Sequence, residues 1–196
     1  MLFNHQDEIT QQLKNIATPD NGGLKIENAD KLRGNVLDQL IQNAVLNPSA
    51  EIKGLSRFYI KSAAQELGIV NSSIQGLYDA RGRGEVKGFT VPALNIRGLP
   101  YELCRAIFRT AIKMNAGAFI FELAKSEMNY TFQKPHELST VILGAAIKEG
   151  YTGPVFIQGD HFQVNAKNYA QDPEKEVAGL KNLIESGIAG GFYNID

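Results

Sequence analysis

The spacing of apolar residues along the chain changes character near residue 87. Before that point apolar residues recur every three or four positions, the period of an amphipathic helix, and no run has the alternation of a convincing strand. Representative positions on these faces are Ile9, Leu13, Ile16, Leu32, Val36 and Leu40. We therefore predict that residues 1–87 form an α-helical N-terminal extension, and its sequence indicates no chemistry.

Beyond residue 87, short apolar runs alternate with longer amphipathic stretches. Strands are predicted at residues 89–96, 118–124, 154–158 and 191–196, and helices at residues 100–113, 135–149 and 173–185. Such alternation favours βαβ units with parallel strands buried on both faces. We therefore predict an α/β fold in which residues 88–196 are the first four β/α units of a (β/α)8 TIM barrel. The barrel is expected to be truncated, because four strands cannot close one.

Composition and charge exclude several classes of protein. The 196 residues are 43% hydrophobic and 21% charged, with a net charge of -1, which is not the electrostatic footprint of a nucleic-acid-binding protein. The N-terminus lacks the pattern of a secretory signal, and no apolar run is long enough to cross a bilayer. The single cysteine, Cys104, excludes an intrachain disulfide. We expect a cytoplasmic protein that binds neither nucleic acid nor membrane.

Candidate chemistry lies where the predicted strands end. Asn95 and Glu122 belong to the first two strands, Asp160 and His161 follow the third, and Asp196 ends the fourth. In parallel α/β folds the reactive groups lie at the carboxyl ends of the strands. An unpaired carboxylate is costly to bury, so apolar strands that end on acidic residues favour a functional site at this rim.

Each of these residues also has a structural interpretation. Asp160 can cap a loop while His161 lies on the surface. Glu122 can be a salt-bridged core residue with Lys125 as its counterion. Asn95 can bind a substrate hydroxyl or form hydrogen bonds with backbone groups of a loop. A single histidine is too few for a metal site, which usually takes three or more protein ligands.

Two segments at this rim resemble a known family. Residues 91–95 (Val-Pro-Ala-Leu-Asn) and 153–161 (Gly-Pro-Val-Phe-Ile-Gln-Gly-Asp-His) resemble the first and third strands of class II, metal-dependent fructose-bisphosphate and tagatose-bisphosphate aldolases. Other positions resemble the Z-type tagatose-bisphosphate aldolase subunits, which have been regarded as accessory chains and are related to sugar-acid epimerases. These positions are Phe121, Glu122, Ser126, Tyr130, Thr131, Pro135, the Gly159–His161 triplet and Asn165.

The resemblance implies a lyase of carbohydrate metabolism that cleaves a phosphorylated ketose by a metal-dependent retro-aldol reaction. Asp160 then matches the acid/base that exchanges a proton with the substrate C4 hydroxyl, and His161 matches a metal ligand, usually for zinc. A homo-oligomer is expected. Residues expected to bind substrate are Asn95, Glu122, Asn165 and Asp196.

One departure from the aldolase pattern lies after the second strand, where Ala124 replaces a serine. The family's remaining metal histidines are expected after later strands, so this chain alone is predicted to be inactive. A metal-dependent epimerase of a sugar or sugar acid and a non-catalytic accessory subunit remain alternatives.

Overall fold

The computed structural model describes residues 1–20 and 22–196, which form two sheets connected by helices. The strands are β1 (Ala17–Asp20), β2 (Gly23–Ile26), β3 (Ile69–Ser72), β4 (Ala93–Asn95), β5 (Ile120–Ala124), β6 (Gly153–Asp160) and β7 (Asn194–Ile195). The helices are α1 (Gln6–Leu13), α2 (Ala29–Lys31), α3 (Leu37–Leu46), α4 (Ala50–Glu66), α5 (Gln75–Gly82), α6 (Pro100–Met114), α7 (Lys125–Thr131), α8 (Pro135–Glu149), α9 (Ala166–Gln171) and α10 (Pro173–Gly190), and the segment Leu32–Val36 between α2 and α3 is kinked at Gly34.

Strands β4, β5, β6 and β7 pair in parallel, as the alternation of strands and helices predicts. The prediction of a truncated TIM barrel is nevertheless wrong. The strands form a five-stranded sheet of order β3-β6-β5-β4, in which β7 also pairs with β6. Apolar runs specify that strands pair, whereas closure depends on strand number and stagger, which those runs do not encode.

The prediction that residues 1–87 contain helices alone is also wrong. Strands β1 and β2 form an antiparallel hairpin in which Ala17 pairs with Ile26, and β3 joins the larger sheet. Each of these strands has four residues and only one buried side chain. Strands this short, with one buried residue each, contain no alternation of apolar and polar residues long enough to be recognised in the sequence.

The described chain divides into two compact units. The first consists of Met1–Val70, Leu99–Asn115 and Thr140–Pro154. Its core contains the buried side chains of Leu32, Leu37, Leu40, Ile60, Phe108 and Ile147. Ion pairs join Arg105 to Glu149 at 2.7 Å and Lys148 to Asp38 at 2.7 Å within this unit.

The second unit consists of Asn71–Gly98, Ala116–Ser139 and Val155–Asp196. Its core contains the buried side chains of Ile96, Phe121, Leu123, Ile157 and Phe192. Helix α10 begins after Asp172, whose carboxylate accepts a hydrogen bond from the Lys175 backbone. The helix ends at Gly191, which adopts a φ of 100° that favours glycine. This left-handed residue turns the chain into β7 and so brings its end beside β6.

Among the helices of the described residues, none is both long and apolar enough to cross a membrane.

Candidate active site

A row of polar residues crosses the four parallel strands. Asn95 pairs with Glu122, Glu122 with Gln158, and Gln158 with Asn194. Directly paired residues of neighbouring strands lie on the same face of a sheet, so these side chains share one face. Gln158 Nε2 donates a hydrogen bond of 3.2 Å to Glu122 Oε2. The strand register therefore gathers polar side chains that lie far apart in the sequence.

The second feature of this face is the pair of acids at the end of the sheet. Asp160 pairs with Ala124, and it lies two residues beyond Gln158, which places it on the same face. The backbone N–H of Asp196 donates to the carbonyl of Gly159 at 2.9 Å, and the Phe162 N–H donates to the carbonyl of Asp196 at 2.8 Å. These bonds hold Asp196 beside Asp160.

The backbone turns sharply after Asp160. His161 adopts a φ of 51°, in the left-handed region that residues with a side chain rarely occupy. Glycine is required two positions earlier, because a Cβ on Gly159 would lie 2.6 Å from ring atoms of Phe162. Phe162 is itself buried. The ring thus packs directly against the strand backbone, and the turn directs His161 into solvent, where its side chain is 69% exposed.

Asp160, His161 and Asp196 form a cluster of candidate metal ligands. One donor atom from each lies within 4.8 Å of the others. His161 Nδ1 is 3.3 Å from Asp160 Oδ1 and 3.5 Å from Asp196 Oδ2. Zinc in catalytic sites is bound by histidine nitrogen and carboxylate oxygen, and one position stays open. His161 and Asp196, the two exposed members of the cluster, are donors of these kinds, and Asp160 lies beside them.

Asn95 connects this cluster to a buried acid. Its Nδ2 donates to Asp160 Oδ2 at 2.9 Å and to Glu127 Oε2 at 3.0 Å. A carboxylate only accepts hydrogen bonds, so the side-chain nitrogen of Asn95 must be the atom that faces both acids. The predicted site residues Asn95, Asp160, His161 and Asp196 are thus joined by direct contacts.

Glu127 has a buried environment that favours its charged form. Its side chain is 8% exposed and accepts hydrogen bonds from the Ala124 backbone, Asn95 and Arg97. Burial alone would raise the pKa of Glu127, but these hydrogen bonds outweigh it and hold the pKa below its ordinary value. Glu127 is therefore a buried carboxylate that is linked to Asp160 through the side-chain amide of Asn95.

Glu122 has the opposite tendency. Burial is the main cause that raises the pKa of its carboxyl group, and the negative charges of Asp160, Asp196 and Glu127 raise it further. The sequence suggested Lys125 as its counterion. Lys125 Nζ instead lies 3.2 Å from Glu176 Oε1. Glu122 is thus a carboxyl group that holds its proton more tightly than usual.

Asn165 caps a helix. Its Oδ1 accepts hydrogen bonds from the backbone N–H groups of Lys167 and Asn168, at 3.0 and 3.1 Å, and these begin helix α9. Its own N–H donates to Glu176 Oε1 at 2.9 Å. A substrate-binding role for Asn165 stays a prediction, since these bonds already engage the side-chain oxygen.

Sequence reasoning missed Glu127, Arg97 and Gln158. A signal for Glu127 was present, because it occupies the third position of helix α7 and accepts from the N–H of Ala124, the residue before the helix. Glutamate is favoured at that position for this reason. Its further contact with Asn95 joins residues 32 positions apart, which no local pattern reveals.

Comparison with known proteins finds no relative whose functional residues could be matched to these positions. No protein-family model, curated protein or solved structure matches the chain. The features that bear on function are the geometry at the ends of β4, β5, β6 and β7 and the chemistry of the residues found there.

Proposed function

We propose that the protein is a metal-dependent lyase that cleaves a phosphorylated ketose by a retro-aldol reaction. The observation that carries this proposal is the convergence of Asp160, His161 and Asp196 at the carboxyl ends of parallel strands. Ligands of open α/β sheets bind outside those strand ends. The segments that resemble class II aldolases in sequence end at Asn95 and His161, which lie at this same place. The family pattern alone implies an inactive chain, because its other metal histidines follow later strands. We propose instead that Asp196 supplies a further metal ligand beside His161, so that this chain is itself active.

The proposed cofactor is a divalent cation, in the first place zinc. His161 and Asp196 would hold it, since their exposed side chains have donor atoms 3.5 Å apart. When bound, such a cation supplies Lewis-acid polarisation of the ketose carbonyl. Asp160 Oδ1 lies 3.3 Å from the His161 ring. Its carboxylate is therefore placed to exchange a proton beside the cofactor.

The proton transfer is assigned to Asp160. Its carboxylate accepts the proton of the C4 hydroxyl while the C3–C4 bond breaks, so C4 becomes an aldehyde and the electron pair remains on the ketone-bearing fragment. That fragment then takes up a proton at C3. Asn95 donates to Asp160 Oδ2 and so fixes the orientation of the base. Glu122, on the same sheet face as Asp160, would bind a substrate hydroxyl through a hydrogen bond.

The other parts of the proposal come from the sequence. A phosphorylated sugar as substrate follows from the resemblance to ketose-bisphosphate aldolases, as does assembly into a homo-oligomer. A cytoplasmic location is supported by the single buried cysteine, Cys104, which has no other cysteine with which to form an intrachain disulfide.

The proposal is tested by measuring zinc content together with cleavage of fructose and tagatose bisphosphates. His161→Ala should lose zinc and turnover, whereas Asp160→Asn should keep zinc and lose turnover by ~100-fold or more, the scale of general acid–base catalysis. His5→Ala and Asp7→Asn are matched controls, because both residues are exposed and lie in the first unit. A wild-type protein that binds no zinc and cleaves neither sugar would refute the lyase and favour an accessory subunit.

A second candidate is a metal-dependent epimerase of a sugar or sugar acid. The observation that favours it is Glu122, a second carboxyl group on the same sheet face as Asp160, whose pKa is raised mainly by burial. An epimerase would exchange a substrate C–H with deuterium from D2O without releasing an aldehyde, and Glu122→Gln would abolish that exchange. Release of an aldehyde by the wild type would exclude this alternative.

A further inference from the structure

We propose that Glu127 is a positioning residue, which orients the Asp160 carboxylate through the side-chain amide of Asn95. The catalytic consequence of this link rests on the proposed function, but the link itself does not. Glu127 lies outside the two segments that resemble class II aldolases, residues 91–95 and 153–161, and it does not belong to the metal-ligand cluster. Its role is inferred from three features of its surroundings.

The first feature is the use of both hydrogens of one amide group. Asn95 Nδ2 donates to Asp160 Oδ2 at 2.9 Å and to Glu127 Oε2 at 3.0 Å. A planar amide that donates to two separate carboxylates has its rotation fixed by both. Removal of either acceptor frees the amide to rotate, so the orientation of Asp160 depends on Glu127.

The second feature is that Glu127 is itself fixed. Its Oε2 also accepts from the Ala124 backbone N–H at 3.0 Å, and its Oε1 accepts from Arg97 Nε. Ala124 ends β5, and Glu127 lies in the first turn of α7. The hydrogen bond from Ala124 therefore attaches the Glu127 carboxylate to the end of the sheet and restricts its motion.

The third feature is burial at both ends of the link. The side chains of Glu127 and Asp160 are 8% and 16% exposed. Charge-assisted hydrogen bonds are stronger than neutral ones and strengthen further where the local dielectric is low. Both oxygens of Glu127 accept hydrogen bonds from N–H donors. A glutamine at this position has only one side-chain oxygen, so it can accept on one side of the group and would turn an NH2 donor towards the other.

The test uses hydrogen exchange of the Asn95 side-chain amide protons, measured by NMR on the full ¹⁵N-labelled chain. These protons are assigned by their loss in Asn95→Ala and should be protected in the wild type. Glu127→Gln should speed their exchange by about tenfold or more, the equivalent of one lost charge-assisted hydrogen bond. Arg97→Ala gives a second variant that keeps the acid and should speed exchange to a smaller extent.

Glu85→Gln is the matched control. Glu85 also accepts from an arginine, with Arg83 Nε at 2.5 Å, and it lies exposed in the same unit. Its substitution should leave the Asn95 protons protected. Equal exchange in Glu127→Gln and Glu85→Gln would overturn the proposal.

Turnover then tests the catalytic consequence. In the zinc-loaded protein, Glu127→Gln should lower kcat by about 10- to 100-fold, the cost of misplacing a catalytic group, with KM and zinc affinity changed by less than about threefold. An unchanged kcat would overturn the positioning role. If the wild type protects the Asn95 protons but cleaves no sugar, the proposed function fails while the link from Glu127 to Asp160 stands.

Discussion

Asn95 and Asp160 lie 65 positions apart in the chain, yet Asn95 Nδ2 donates a hydrogen bond of 2.9 Å to Asp160 Oδ2. The contact joins the ends of β4 and β6, which are separated in the sheet by β5. The contact requires a hydrogen-bond donor at position 95, because both groups that accept from Asn95, the side chains of Asp160 and Glu127, are acids. The chemistry at this end of the sheet therefore depends on an amide between two carboxylates.

Asn95→Asp should damage both stability and activity. The substitution replaces the shared donor by a third carboxylate, which repels the other two. We expect a loss of about 1–3 kcal/mol of unfolding free energy at pH 7, the usual cost of leaving buried polar groups unsatisfied. Urea unfolding at pH 7 checks it, with Asn182→Asp, on the exposed side of α10, as the control.

Gly159→Ala should disrupt the turn that presents His161. The added methyl group would lie 2.6 Å from the Phe162 ring, so the ring or the strand must move. Overpacking of this kind costs about 1–3 kcal/mol. Gly179→Ala is the control, because a Cβ there meets nothing within 4 Å and the position is helical. That control should be neutral or stabilising.

A double variant distinguishes overpacking from a direct effect on the backbone. If the clash with Phe162 causes the loss, Phe162→Leu should recover part of it when combined with Gly159→Ala, and the two changes should be non-additive. Strictly additive unfolding free energies would contradict this explanation.

Glu122 and Glu127 should show opposite pH dependence. Burial raises the pKa of Glu122 above the ordinary 4.5, so the folded state favours the protonated acid and ionisation becomes a cost as pH rises through the folded pKa. Hydrogen bonds overcome burial and lower the pKa of Glu127 below 4.5, so its stabilisation is present above pH 4.5 and is lost as pH falls through the folded pKa.

Two glutamine variants measure these signs. Relative to the wild type, Glu122→Gln should become more favourable for stability as pH rises from below 4.5 to neutral, and Glu127→Gln should become less favourable over the same range. Chemical unfolding at pH 4 and pH 7 gives both differences. The same sign for the two variants would contradict the environments inferred here.

Zinc should stabilise the folded protein through His161 and Asp196. A ligand that binds only the folded state raises its stability in proportion to the logarithm of ligand concentration, by about 2.7 kcal/mol at 100 times Kd. The melting temperature should therefore rise with added zinc in the wild type and fall on chelation, and His161→Ala and Asp196→Ala should not respond. A zinc response in His161→Ala equal to that of the wild type would place the metal elsewhere.

The sequence predicted the local features of the second half of the chain because each has a nearby cause. Helix α6 begins at Pro100 and helix α8 at Pro135, as the sequence predicts, because proline has no N–H to leave unpaired in a first turn. The sequence also placed Asn95, Asp160 and Asp196 at strand ends. Those positions follow from apolar runs that end on polar residues.

The errors concern relationships between distant segments. The pairing of β3 with β6 and the order of the sheet depend on packing, and they replaced the predicted TIM barrel by a five-stranded sheet. The role of Arg97 and Glu127 depends on a contact across 30 positions. The local sequence pattern predicts which residues are buried, but it does not predict which distant acids the side-chain amide of Asn95 will contact.

The most direct test of the lyase is a single measurement of aldehyde release from a ketose bisphosphate by the zinc-loaded wild type and by zinc-loaded Asp160→Asn. We predict that the wild type releases the aldehyde and that the variant, with its zinc retained, is slower by ~100-fold or more. A zinc-loaded wild type that releases no aldehyde, or a variant that releases it as fast, would contradict the assignment of Asp160 as the acid/base of a retro-aldol reaction.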